Sequence, residues 1–289
     1  MANTNKVKAV NPNNRIKTFN VINAIIFIIV AFIIIIPMWK ILSDSFDLRT
    51  SYGMRLWPKQ FGFDGYMEVF GKVSLYRPLL VSVLTTVCGT ALALTLSTLG
   101  AYVLIQWDMP GRKFFANYLL FTMIFNGGMI PTYLVLSSLG LVNTLWVVIL
   151  FPALNVYNLV LMRNFFEGIP GSMYESAALD GCTPFQTFIR IVLPMSKAAL
   201  ASIGLMFAVT YWNDYTHYKL YINDSQLYNF QMKLRDMVMG SDLPVSSSLA
   251  NENTIKNAAI IVAILPFMIA YPFLQKYFVK GVNIGAVKE

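Results

Sequence analysis

Ile169-Pro170-Gly171-Ser172-Met173-Tyr174-Glu175-Ser176-Ala177-Ala178-Leu179-Asp180-Gly181, running on to Leu193-Pro194, is the longest segment between two apolar runs that carries its own helix signals. Ser172 and Glu175 have the spacing of a capping box, in which each side chain accepts from the other residue's backbone amide. Ser176, Ala177 and Ala178 then make a thin helical body that another surface can approach closely. Gly181 is the natural stop, because glycine enters the left-handed C-cap conformation without a Cβ penalty. Thr183-Pro184-Phe185-Gln186 restarts a helix at once, with Thr as cap, Pro at the first helical position and Gln closing a second box. Pro194 predicts a kink where this second helix meets the next apolar run. A short helix, a glycine elbow and a second helix hang between two hydrophobic segments, the arrangement of a docking lever.

What surrounds the lever is membrane-like. Of 289 residues 56% are hydrophobic and 12% charged, with mean hydropathy +0.58; a soluble domain carries about 25% charged residues. Apolar runs long enough to cross a bilayer recur along the chain. The formal charge of +8 is spread over membrane-flanking Lys and Arg rather than gathered in a basic patch with interleaved aromatics, so it does not predict nucleic-acid binding. Cys88 lies in an apolar run and Cys182 in the lever, which suggests neither a disulfide nor a metal site.

Six spans are expected. The first, Phe19 to Met38, is Ile-rich and follows a polar, basic stretch read as loosely ordered; no cleavage pattern follows it, and Trp39 and Lys40 fit an interfacial anchor. A mixed-charge segment to about Tyr76 is expected to hold short helices. The second span, Pro78 to Ile105, is rich in small residues (Gly89, Ala93, Ser97, Gly100), which let helices approach closely in lipid and predict a central position. The third, Phe114 to Leu136, is interrupted at Asn126-Gly127-Gly128 and carries Tyr133. The fourth, Val142 to Met162, breaks near Pro152, with Asn155, Tyr157 and Asn158 following. Broken backbone at membrane depth is tolerated where protein or a wet cavity satisfies it. The fifth, Ala198 to Tyr215, ends in Tyr211-Trp212-Asn213-Asp214-Tyr215, and the sixth runs from Asn257 to Leu274. The fold class is therefore an all-α polytopic membrane protein with six transmembrane helices. Lys and Arg divide almost evenly between the two sides, so charge alone barely orients it.

The lever also resembles a family. Glu175-Ser176-Ala177-Ala178, Asp180-Gly181 and Ile191-x-Leu193-Pro194 resemble the EAA loop of bacterial ABC importer permeases in every spacing, with Ser176 where alanine is usual. Trp212-Asn213-Asp214, Arg163-Asn164-Phe165-Phe166 and the ending Tyr271-Pro272-Phe273-Leu274-Gln275-Lys276-Tyr277 resemble the carbohydrate-uptake permeases, in particular the LplC-like branch for complex oligosaccharides. The resemblance implies a MetI-like type I importer fold over residues 78–278, with a coupling loop at 167–194. It implies cytoplasmic tails at 1–18 and 279–289 and an extracytoplasmic segment after the first span within 19–77. It further implies a bacterial cytoplasmic membrane location and a second, homologous permease subunit as partner. Two ATPase subunits holding ATP and Mg²⁺, an extracytoplasmic solute-binding protein, a sugar substrate and membrane lipid complete the expected company. Ser172, Glu175, Ser176, Ala177, Ala178, Asp180, Gly181, Leu193 and Pro194 would couple to the ATPase.

Two observations independent of the resemblance favour a machine powered from outside. No ionisable residue enters the six apolar cores until Asp214, whereas ion-coupled carriers keep such residues as relays or ligands. Gly71-Lys72-Val73 is the nearest approach to a P-loop and lacks its Ser or Thr, so this chain is not expected to be an enzyme. An ion-coupled carrier or channel for small polar solutes is the competing reading. A membrane enzyme ranks below both, since the lone His217 and scattered carboxylates form no acid–base pair or metal cluster and His217 reads as an ordinary interfacial residue. Tyr211, Trp212, Asn213, Asp214 and Tyr215, with Asn126, Tyr133, Asn155 and Asn158 from the broken spans, are candidate walls of the substrate path, because sugars stack on aromatic rings and pair with amides and carboxylates. The same aromatics also read as a headgroup-level belt, and the asparagines as packing groups.

Overall fold

The computed structural model describes residues 12–48, 53, 55–106, 108–239 and 251–286, with side chains from 19 to 270 and at 272 within those ranges. In chain order the helices are α1 (Pro12–Ser45), α2 (Asp64–Gly71), α3 (Val73–Ile105), α4 (Arg112–Ile124), α5 (Met129–Ser138), α6 (Leu145–Leu150) and α7 (Val156–Glu167). There follow α8 (Gly171–Leu179), α9 (Pro184–Thr187), α10 (Leu193–Met195), α11 (Lys197–Trp212), α12 (Thr216–Tyr221), α13 (Phe230–Val238) and α14 (Glu252–Ala286). Among the described residues the only β-type pairing is an isolated antiparallel bridge between Asp47 and Phe61.

Among the described residues three helices are long and apolar enough to cross a membrane: Phe19–Ser45, Val73–Ile105 and Glu252–Ala270. Three bent pairs pass the same test: α4 with α5 at 117°, Leu145–Ala153 with α7 at 45°, and Pro184–Met195 with α11 at 82°. Counting each pair as one span gives six. The breaks fall where the sequence lacks donors or tolerates left-handed backbone. Gly128 sits at φ 91 and ψ 170, with its amide donating to Asn126 Oδ1 at 2.9 Å. Pro152 lies in a 3-10 turn, after which Asn155 caps α7 by accepting from the Asn158 amide. Three details depart from expectation. The stretch 12–18, read as loosely ordered, is helical, and the expected tail before it lies outside the described residues. The sixth span, expected to end at Leu274, continues as α14 to Ala286. The third span is bent by 117° at its interruption, past a right angle.

The chain divides into two compact units. In the first, residues up to Met67 join the segment ending at Ile261. Asp47 closes a loop there: its carboxylate accepts from the amides of Lys59 and Gln60 at 3.0 and 3.2 Å, and its carbonyl accepts from the Thr254 hydroxyl. Phe46, Phe61, Phe63 and Tyr66 stack around this neck at centroid separations of 5.1 to 5.5 Å.

The second unit is organised on α3, as its small residues predict. Gly89, Ala93, Ser97 and Ala101 form its buried stripe, and α11 and α7 pack along it with Met162, Phe166, Ile203, Phe207 and Tyr211. At Gly89 the backbone of α3 takes the Tyr211 ring of α11 against it. A Cβ there would overlap the Tyr211 ring, whose hydroxyl donates to Ile149 O at 2.7 Å. Gly89→Ala is therefore expected to displace Tyr211 and break that bond. Interhelical hydrogen bonds in membranes contribute about 0.6 kcal/mol, up to about 1.7. Thermal unfolding of the detergent-solubilised protein should show G89A lowering the midpoint clearly in the native background and hardly at all in Tyr211→Ala. Equal loss in both would mean that the ring is not what meets the new methyl.

Candidate functional site

The lever folds as a helix, elbow and helix, with one of its two capping boxes absent. Helix α8 begins two residues early: Pro170, at φ −54 and ψ 133, occupies the cap position with no side-chain bond. Ser172 is thereby moved inside the helix, and the expected Ser172–Glu175 box does not form. The Met173 amide goes instead to Pro170 O at 3.0 Å. The C-terminus is as the sequence predicts. Gly181 has φ +74; the Cys182 amide donates to Ala177 O at 2.9 Å and the Gly181 amide to Ala178 O at 3.1 Å, which is a Schellman motif. Thr183 caps α9 with a complete box: its amide reaches Gln186 Oε1 at 2.9 Å and its hydroxyl accepts from Gln186 N at 3.3 Å. A π turn, Phe188–Val192, follows. The chain bends at Ser196, two residues beyond Pro194, so the proline marks the approach to the elbow rather than the elbow itself.

Three contacts that sequence reading missed fasten the lever to the bundle. The Tyr102 hydroxyl, near the end of α3, donates to Pro184 O at 2.8 Å while its ring packs on Phe188 at 4.9 Å. The Tyr174 hydroxyl donates to Phe166 O at 3.2 Å, and burial pushes its pKa up to about 12, so it remains a donor at any physiological pH. Glu167, at the end of α7, pairs with Arg163 at 2.8 Å and lies 3.6 Å from Arg112, whose Nε donates to Leu104 O. The Tyr102 contact spans 82 residues of sequence, and no local pattern announces it.

The lever thus has an inner and an outer face. Ala177 is buried, whereas Ser172, Met173, Glu175, Ser176, Ala178, Leu179, Asp180 and Gly181 are exposed; Leu193 is half-buried and Pro194 exposed. Leu179, 89% exposed, and Phe185, 63% exposed, leave an apolar tip on an otherwise polar surface.

At the other end of α11 the expected path residues separate into two groups. Tyr211 and Trp212 are buried in this chain: the Trp212 indole donates to Ala263 O at 2.9 Å and its ring meets Phe267 edge-on. Asn155 is spent on its cap, Asn126 on its turn, and Asn158 is buried. Asn213 is exposed, and Tyr215 lies under the Arg235 guanidinium at 4.4 Å. Asp214 accepts from the His217 amide at 3.1 Å and contacts its Nδ1 at 2.9 Å, while Asn229 donates to the Asp214 carbonyl. His217 in turn stacks on Tyr221 and meets Phe151, and Tyr133 stacks on Tyr221 at 6.2 Å. The break of the fourth span, α5 of the third and α12 after the fifth therefore share one aromatic cluster. His217, read from sequence as an ordinary residue, is its polar member; its three-residue offset from Asp214 on a helix start was the available signal. Among the described residues no group of His, Cys, Asp and Glu is placed to hold a metal ion, and both cysteines are free.

Straight and broken apolar helices, with a structured lever between two of them, make this a polytopic membrane protein. The chain belongs to the family of binding-protein-dependent transport system inner membrane components, which matches residues 16–284. YtcP of Bacillus subtilis (strain 168), a polygalacturonan/rhamnogalacturonan transport system permease protein, is 44% identical over 268 residues, covering 89% of this chain and 94% of that protein. LplC of the same organism is 41% identical over 281 residues, covering 94% and 95%. A crystal structure of a bacterial ABC transporter importing the acidic polysaccharide alginate contains a chain that matches with TM-score 0.85 at 29% identity, over 94% of this chain and 100% of that one.

The Gly181 elbow has open space around it but a backbone that only glycine adopts without strain. Gly181→Val is expected to preserve membrane insertion while loosening the lever, read as faster amide exchange or proteolysis at residues 171–190. Thr183→Ala should have a milder effect of the same kind, about 0.5–2 kcal/mol of local stability. An unchanged exchange pattern in Gly181→Val would show that the turn does not depend on glycine.

Proposed function

We propose that this chain is one of two permease subunits of an ATP-driven importer that moves an oligosaccharide across the bacterial cytoplasmic membrane. The sugar is received from an extracytoplasmic binding protein and passed by alternating access, with both termini and the lever on the cytoplasmic side. Two partner ATPase subunits bind and hydrolyse ATP. The observation that carries this reading is the lever: a preformed helix with a fixed elbow, fastened to α3 and α7 on its inner face and offering Leu179, Phe185 and the small Ala178 on its outer face. A groove on an ATPase subunit that receives this tip would move α11 through the Ser196 bend. The names of the relatives support a sugar cargo, and the polygalacturonan, rhamnogalacturonan and alginate systems make fragments of acidic polysaccharides the first candidates.

Within this reading Asn213, Tyr133, Asn126 and Asn155 are exposed candidates for the path wall, with Tyr215 and His217 half-buried beside them. Asp214 is buried against His217, and Tyr211 and Trp212 are buried in this chain.

Burial makes the docking assignment testable at single-residue resolution. In the assembled complex, cysteine at Ala178 or Leu179 should crosslink to the ATPase subunit, whereas cysteine at Ala177 should not, because that position faces this chain's own interior. ATP-dependent uptake of an oligogalacturonate into proteoliposomes tests the activity. Crosslinking at 177 but not at 178 would reverse the docking face, and uptake driven by an ion gradient without ATP would replace the importer with a secondary carrier.

A further inference from the structure

We propose that residues 55–59, held next to Asp47, are a lipid-interface anchor, with Trp57 and Leu56 inserted at the headgroup boundary and Arg55 and Lys59 placed for lipid phosphates. The inference rests on α1 being a span, and it concerns a surface with no part in the lever or the path.

Helix α1 carries the chain out of the apolar zone. The most apolar 18-residue window of its stretch from Phe19 has mean hydropathy 3.0, and none of that window is buried. Trp39 and Lys40 stand where that apolar run ends. The helix continues to Ser45, six residues beyond Trp39, which at about 1.5 Å per residue lies about 9 Å farther from the bilayer centre. The loop then returns. Trp39 Nε1 donates to Leu56 O at 3.0 Å, and the Trp39 and Trp57 rings meet edge to face with centroids 5.7 Å apart. Leu56 and Trp57 are therefore brought back to the depth of Trp39.

The neck holds this return in place. The backbone pairs Leu48 with Gln60 and Phe46 with Gly62, and the Asp47 carboxylate fixes Lys59 and Gln60. At the tip, Trp57 is 73% exposed and Leu56 44%. An indole at that exposure and depth, continuous with a bare apolar helix, matches the amphipathic layer between water and acyl chain. The flanking sequence Arg55-Leu56-Trp57-Pro58-Lys59 places an exposed cation on either side of the apolar pair, the arrangement that suits anionic headgroups. A soluble partner would gain the same apolar contact, but would have to reach it at the level of the membrane surface. Lipid is already there.

The test uses the full transporter in nanodiscs of phosphatidylethanolamine and phosphatidylglycerol, with Cys88 and Cys182 replaced by alanine. A nitroxide is attached in turn at Trp57→Cys, Leu56→Cys, Gln60→Cys in the neck and Ile29→Cys in the span. Accessibility to oxygen relative to a water-soluble nickel chelate reports depth. Labels at 56 and 57 are expected to approach the oxygen preference of 29, while 60 prefers the chelate. Replacing phosphatidylglycerol by phosphatidylcholine should shift 56 and 57 toward water, and Arg55→Gln with Lys59→Gln should abolish that lipid dependence. Chelate preference at 56 and 57 equal to that at 60 overturns the proposal. So does shielding that appears only when a binding protein is added, which would make the loop a protein dock. Chelate preference at 29 would overturn the span itself, and with it the anchor.

Discussion

The bundle of the second unit depends on one missing side chain. Where α3 passes α11, Gly89 offers only backbone, and the Tyr211 ring lies against it. In a bilayer, helices gain little from burying apolar surface against one another, so association rests on close packing and a few interhelical hydrogen bonds. Gly89 supplies the first and the Tyr211 hydroxyl, reaching Ile149, the second. The same contact fixes how far α11 stands from α6, and so where the chain after Trp212 emerges. The neighbouring bonds repeat the pattern. Tyr218 donates to Thr85, Ser82 accepts from the Phe230 amide, and Trp212 donates to Ala263. Small or hydroxylated residues on α3 let polar groups from later elements satisfy themselves inside the protein, as membrane depth requires.

How far the sequence alone reveals this structure depends on the range of the interaction. Span lengths, the small-residue stripe of α3, the Gly181 elbow and the Thr183 box are local, and each is readable from a few neighbouring residues. The two boxes of the lever show the limit. Both have the pattern of a hydroxyl residue followed three later by Glu or Gln, yet only one forms. Pro184 directly after Thr183 fixes the threonine as the cap, whereas Pro170 takes the cap position itself and draws Ser172 into the first turn. The surroundings of the path candidates are illegible for a different reason. Tyr211 and Trp212 are aromatic residues at a span end whether they face sugar, lipid or their own core. The contacts that decide, to Ile149 and Ala263, lie 62 and 51 residues away. His217 is the chain's lone histidine and by itself points to no site; its partner is a carboxylate three residues back.

Tyr102 and Arg112 show how the lever is tied to more than the span it precedes. The phenol of Tyr102 holds α9 to the end of α3, and Arg112 joins the beginning of α4 to the Leu104 carbonyl and to Glu167. Helices α3, α4 and α7 therefore share one set of polar ties at the end of the bundle where the lever attaches. The aromatic cluster of Tyr133, Phe151, His217 and Tyr221 ties α5, the 3-10 turn and α12 in the same way. Each end of the unit is held by side chains from at least three segments, and the broken spans lie between.

The bend at Ser196 has a mechanical consequence. The segment Pro184–Met195 and helix α11 meet at 82°, close to the right angle of a bell crank. By the helical rise the arms are about 18 Å and about 24 Å long. If the joint stays stiff, displacement along one arm turns into sideways sweep of the other, and the longer arm magnifies it. A rotation of about 10° would carry the tip of α11 through about 4 Å, roughly the thickness of one aromatic ring. The short arm is tethered by Tyr102, so the fulcrum is not free to slide. A small tilt at the membrane surface becomes a lateral stroke at depth, with no helix needing to lengthen or unwind.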